Sequence, residues 1–452
     1  MAIHGDSYSL VCFAFLGRMA QHSASRLMRD PSPLHLRTGP ARSSFTGICR
    51  DWLLVLIGWN CVANGLALAG DWPRWRGPNL DGISTEKDWT DQWPAQGPSV
   101  LWQASVGTGF SSVSVSRGRA YTMGNTGNHD TVFCFDAATG QVLWRHPYPS
   151  PLGPKYFDGG PTSTPTVDGD AVFTLSRQGR VFCFDAATGE VRWSKKLVEE
   201  LGVPVPSWGF AGSPFVEDKL LLLNLGEAGT ALDKATGQVV WTSARKDAGY
   251  STPVPLRTED DRSVVFGSSD CLVAVNAATG KELWRHRWAT RYGVNAADVI
   301  VSGDLVFFSS GYNKGSVLLK LGGAKPEEIW KSKELRTQLN AAILLDGHLY
   351  GFDGDSDSRA KLKCLELKSG AVKWTQEDTG FGSVAAANGK LIVLTAKGEL
   401  MVAPASPGGF KPRARAKVLG GKCWTVPVLS NGRLYCRNAA GDLVCLDVRA
   451  GK

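Results

Sequence analysis

The chain of 452 residues predicts an all-β fold, an eight-bladed β-propeller of four-stranded antiparallel blades whose last blade is closed by the N-terminal strand. Three observations carry this prediction. A turn-and-strand unit recurs along the chain, the tryptophans that end it are almost evenly spaced, and a separate column of small residues repeats the same number of times.

The unit is clearest at Asp185-Ala186-Ala187-Thr188-Gly189, running on to Trp193, with copies over 136–144, 233–241 and 276–284 and a worn one over 366–374. An apolar run such as Val181-Phe182-Cys183-Phe184 arrives at an Asp or Asn whose short side chain can bond its own turn backbone. Gly then supplies the positive-φ position, and a β-prone segment leads away to Trp. The closing residues Trp102, Trp144, Trp193, Trp241, Trp284, Trp330 and Trp374 lie between 42 residues (Trp102 to Trp144) and 49 residues (Trp144 to Trp193) apart. A period in the forties with four strands per period marks a propeller blade.

One more period reaches a degenerate position near Ala416, and the chain then offers three further strands before Lys452 but no outer Trp strand. Val100-Leu101-Trp102-Gln103 is a spare strand at the other end, so it is expected to complete the eighth blade and leave the ring without a large unpaired edge. The second column agrees. Phe110–Val113, Thr162–Pro165, Ala211–Pro214, Tyr250–Pro253, Val294–Ala297, Leu339–Ala342, Phe381–Val384 and Trp424–Pro427 are eight openings of innermost strands, where crowding around an axis favours small side chains.

The 52 glycines suit a chain of many hairpins. Of the formal net charge of +8, residues 1–70 carry +3, with six Arg against three Asp. The remainder is mildly basic without a basic run, which argues against a nucleic-acid partner. Residues 1–45, rich in Arg, Ser and Pro, read as unstructured or as a start codon placed too early. Residues 46–69 read as a signal peptide: a cationic start, the apolar Trp52–Gly58, then Ala67-Leu68-Ala69, with cleavage expected near Ala69–Gly70. Asn60 and Asn64 interrupt the apolar stretch, so no stable membrane span is expected after removal, and the mature protein is expected in the periplasm or secreted, as a monomer. Residues 70–98, containing Trp72-Pro73-Arg74-Trp75-Arg76, read as an extended lead packed on the propeller (99–452), with Trp72 and Trp75 filling an apolar groove.

Seven cysteines follow residue 70, none adjacent and none spaced Cys-x-x-Cys, so they read as small buried hydrophobes rather than metal or redox groups. The four later histidines lack ligand spacing. Gly354-Asp355-Ser356-Asp357-Ser358 alternates oxygens like a calcium loop but lacks the Gly and Glu of an EF-hand, and reads as a solvated hairpin. No nucleophile elbow or phosphate loop occurs. The inner column carries no carboxylate, His, Lys or Arg in any copy, so the axis is expected to be unreactive, and chemistry there would draw on turns such as those of Arg177, Asp270 or Arg437. Long connections at 149–160 and 203–210 are expected to emerge on one face. Trp208, Phe210, Tyr250, Phe381 and Trp424, with Asn295, Asn340, Arg177 and Arg437, are the candidate partner-binding residues at the channel mouth.

Cys134–Trp144 and Cys183–Trp193 resemble the docking motif of the pyrroloquinoline-quinone (PQQ) propeller repeat family, Ala-x-Asp-x-x-Thr-Gly-x-x-x-Trp, with Cys at the first Ala. The resemblance spans about 100–452. Its dehydrogenase branch implies PQQ held with calcium on the axis under a disulfide of adjacent cysteines. This chain has no adjacent cysteines and no inner-column carboxylate, so no catalytic residue carries over and no cofactor is predicted. The branch similar to the outer-membrane protein assembly propeller implies an exported, cofactor-free scaffold acting through surface loops, and complete blades around an unreactive axis favour an exported, non-catalytic propeller that binds a protein, peptide or glycan partner. The alternatives are a PQQ-dependent oxidoreductase and a sensor ectodomain anchored by an uncleaved N-terminal segment.

Overall fold

The computed structural model describes residues 70–258, 261–323, 325–355 and 359–451. The segments 1–45 and 46–69, and the end of the calcium-like stretch at 356–358, lie outside the described residues.

The repeat folds as its chemistry dictates. Asp136 Oδ1 accepts hydrogen bonds from the N–H groups of Ala138 (3.0 Å) and Thr139 (2.8 Å) and from the Thr139 hydroxyl (2.9 Å). Asp185, Asp233 and Asn276 do the same in their own turns. Gly140 is needed twice over: its φ is +74°, and a Cβ there would lie 2.6 Å from the indole of Trp102. The Trp of one blade thus docks on the turn glycine of the next, Trp144 on Gly189, Trp193 on Gly237, Trp241 on Gly280 and Trp330 on Gly370. The indole N–H completes the dock by donating to a turn carbonyl, Trp102 to Ala137 (3.1 Å) and Trp241 to Ala277 (2.8 Å).

Seven sets of four antiparallel strands follow in chain order over 114–149, 166–196, 215–242, 254–287, 300–332, 343–376 and 382–417. The eighth joins Val428–Ser430, Arg433–Arg437 and Asp442–Asp447 to the N-terminal strand Val100–Ser105, in the register Val100↔Leu446, Gln103↔Val444, Ser105↔Asp442. Closure by the N-terminal strand is therefore as the sequence predicts. Blade seven departs from four strands, gaining Ile83–Ser84 of the lead as a parallel neighbour of Gly382–Ala387.

The core lies in layers between neighbouring blades. Tyr121, Met123 and Trp144 of blade one meet Val172, Phe182 and Phe184 of blade two. The closure layer brings Trp102, Tyr435 and Cys445 against Val115 and Phe135. The seven cysteines of the described chain are all buried and unpaired. Burial pushes the Cys134 thiol up to about 12, in keeping with a packing role.

Candidate functional site

The lead segment sweeps one end of the axis in ring order. Asp71 accepts from Ser116 Oγ (2.9 Å) in blade one, Trp72 exchanges backbone bonds of 2.8 Å with Val115, and the Pro73 carbonyl accepts from Val167 N in blade two. Arg74 lies over the Phe215 ring in blade three, and Leu80 joins the layer between blades three and four. Arg76 donates to the carbonyls of Ala341 (3.2 Å) and Ala342 (3.0 Å) in blade six, and Glu86 accepts from the backbone N–H groups of Asn431 and Gly432 in blade eight. This end is closed. Trp72 fills an apolar site, as the sequence suggests; Trp75 packs against the layer between blades seven and eight and makes a polar contact as well.

Trp75 reaches the axis and donates its indole N–H to Asp298 Oδ2 (2.6 Å). Asp298 stands one residue past the fifth copy of the small-residue column, and it ends a relay that runs through the first four copies. Ser112 N donates to Thr164 Oγ1 (3.0 Å), Thr164 N to Ser213 Oγ (2.9 Å), Ser213 N to Thr252 Oγ1 (3.0 Å), and Thr252 N to Asp298 Oδ1 (2.7 Å). Hydroxyls of one inner strand satisfy N–H groups of the previous one, so the small side chains stitch blades together as well as relieving crowding. The expectation of an axis without titratable groups is corrected here: Asp298 is buried on the axis with the Arg76 guanidinium 3.9 Å away. Burial pushes the Asp298 carboxyl up, partly offset by Arg76, the Trp75 indole and the Thr252 N–H.

Above this floor the other end of the axis opens into a cavity of about 640 Å³. Its wall is aromatic. Phe110 stacks on Trp424 (5.5 Å) and meets Phe157 (5.8 Å), Trp208 packs edge-on to Tyr250 (5.9 Å), and Tyr292 packs edge-on to Tyr312 (5.0 Å). Tyr156 stands at the rim, 90% exposed. With Trp75, nine aromatic side chains line the cavity, interleaved with Thr162, Ser207, Asn340 and other small polar groups. Only Lys155 and Asp298 carry formal charge among the described lining residues.

Of the candidates named from sequence, Trp208, Tyr250, Asn340 and Trp424 line this cavity. The others serve packing. Phe210 and Phe381 are buried in the layers between blades two and three and between six and seven. Asn295 is buried, donating to Ser268 O (2.8 Å) and Trp288 O (3.0 Å) and accepting from Ser310 (2.8 Å). Arg177 ties the two long connections together through Leu152 O (2.8 Å), Gly153 O (2.9 Å) and Trp208 O (2.9 Å). Arg437 is buried across the closure, donating to Ser111 O (2.8 Å), Met123 O (2.7 Å) and Gly107 O (3.1 Å), and burial lowers it to about 9. Phe110 stood in the column and Tyr156 and Phe157 in a long connection, but Tyr292 and Tyr312 carried no signal beyond lying in loops.

The donor set does not fit a quinone held with calcium. Calcium takes six to eight oxygens, whereas the one lining carboxylate has Oδ1 committed to Thr252 and Oδ2 to Trp75. Asp353, beside the calcium-like stretch, is bound to Arg336 (2.9 Å) and Lys363 (2.8 Å). Among the described residues no helix is long and apolar enough to cross a membrane.

The family model described as outer membrane protein assembly factor BamB matches residues 128–376. No curated protein matches the chain. Two similar solved structures are BamB from Moraxella catarrhalis and the quinohemoprotein alcohol dehydrogenase from Comamonas testosteroni. The first is 15% identical with a TM-score of 0.58, over 78% of this chain and 100% of that one. The second is 14% identical with a TM-score of 0.60, over 85% and 82%. At such identities these structures share the fold, and they span both an assembly factor and a redox enzyme.

Proposed function

The chain belongs to the PQQ-like propeller family whose model is described as outer membrane protein assembly factor BamB, and from that premise we propose that it is an exported, non-catalytic binding propeller. It engages a protein, peptide or glycan partner through the open end of its axis. The observation that supports this reading is the wall itself: nine aromatic side chains and small polar groups around one already-engaged carboxylate. Aromatic surface with a few placed polar groups is the composition of a recognition site. The one carboxylate of the wall, Asp298, is occupied in holding Trp75 and Thr252 rather than facing a bound substrate as a general base would.

Adding PQQ and calcium to the purified protein tests the reading. A ligand that prefers the folded state must raise the melting temperature. No saturable, calcium-dependent rise is expected, and one that saturates together with a bound-quinone absorbance would overturn the proposal.

A further inference from the structure

Resting on the reading of the open end as a binding site, the geometry points to a neutral oligosaccharide as what the aromatic cavity holds. Three features lead there. The first is the mixture of ring faces and hydroxyl or amide groups on one wall. A sugar ring offers C–H faces that settle on the electron-rich face of an aromatic ring, and hydroxyls at its edge that seek groups such as Asn340 and Ser207.

The second is a pair of wall oxygens without partners. Gln338 and Thr425 both line the cavity and are 6% and 4% exposed, and neither Gln338 Oε1 nor Thr425 Oγ1 has a hydrogen-bond partner in the protein. Buried polar atoms are nearly always paired; both oxygens lie out of solvent reach, Gln338 Oε1 against Gly311, so a ligand's donors pair them by drawing these two side chains toward the cavity. Both accept hydrogen bonds, and sugar hydroxyls donate them.

The third is charge. Asp298 is countered by Arg76, and Lys155 is the other charged lining residue. Neither an acidic sugar nor a charged peptide end finds a set of opposing groups here. A peptide added as an extra strand would need a free sheet edge, and the cavity is walled by side chains from the connections between blades. The cavity of about 640 Å³ lies within the range of small-ligand sites.

The test is a broad glycan array probed with the full exported chain. Hits are then measured by calorimetry and tryptophan fluorescence, alongside cellotriose, maltotriose and triacetylchitotriose as neutral probes. Saturable binding of a neutral glycan is expected, with the fluorescence of the cavity tryptophans changed. Tyr156→Ala, Tyr292→Ala and Gln338→Leu should each weaken it, the last by up to about tenfold, the worth of one lost hydrogen bond. Tyr156 is 90% and Tyr292 51% exposed, so these two variants keep the fold. The inference is overturned if no neutral glycan binds, if only charged glycans bind, or if all three variants bind as the parent does. The broader binding reading fails separately, through quinone-dependent and calcium-dependent stabilisation.

Discussion

The two ends of the axis are made from different kinds of sequence. The closed end is one continuous stretch, residues 71–90, laid across the ring and fixed by backbone bonds, by Arg76 and by the Glu86 carboxylate. The open end is assembled from single residues on separate connections, held apart by a scaffold that they do not hold together. The difference teaches where the lead is anchored and where side chains stand exposed. Trp72, Arg76 and Glu86 of the lead are buried in or bonded to the ring, while Tyr156 and Tyr292 at the open rim are exposed, as the proposed binding role requires.

The sharpest way to break this contrast is Arg76→Ala. It leaves Asp298 buried without its counter-charge and removes the bonds to Ala341 and Ala342, so a loss of about 3–5 kcal/mol is expected in urea unfolding. Trp72→Ala, which empties a 2%-exposed site in the closure layer, should cost a similar ~3–5 kcal/mol. A loss under ~1 kcal/mol from either would mean that the lead is an ornament.

Two buried carboxylates sharpen the comparison through pH. Burial pushes Asp353 up, but Arg336 and Lys363 outweigh it and bring it down to about 2. Its contribution is therefore present above the unfolded value of about 3.9 and lost as pH falls through 2, and Asp353→Asn should cost about 2 kcal/mol at pH 7. Asp298 has the opposite sign. Its folded value is raised, so its contribution is complete below the unfolded value and lost as pH rises through the folded one. Urea midpoints of Asp298→Asn should accordingly gain on the parent as pH rises from about 4, while those of Asp353→Asn fall behind it between about pH 2 and 4 and then run parallel to it. Slopes of the same sign in both variants would contradict the assignment.

The smallest effect is expected at the rim. Tyr156→Ala and Tyr292→Ala should shift unfolding by no more than about 0.5 kcal/mol, as surface substitutions do.

The ring was legible because each of its determinants is local. Asp136, Thr139 and Gly140 make their turn within five residues, and Trp144 follows at a fixed offset, so periodicity alone counted the blades and exposed the spare strand at Trp102. The site was less legible because its parts share no period. Tyr292 and Tyr312 come from unrelated connections, and Arg76 meets partners 265 residues away. Asp298 escaped because it lies just beyond the repeated column, in a register that only the relay through Thr252 reveals. Conversely, Asn295 and Arg437 read as partner-binding candidates at the channel mouth, yet the Asn295 amide and the Arg437 Nη groups are spent on backbone carbonyls.

Hydroxyl-radical footprinting read by mass spectrometry tests the central claim, a ring closed at one end and open at an aromatic cavity at the other. The expected result is strong labelling of Tyr156 and Tyr292 with protection of Trp72, which is 2% exposed. Labelled Trp72 with protected Tyr156 and Tyr292 would contradict it.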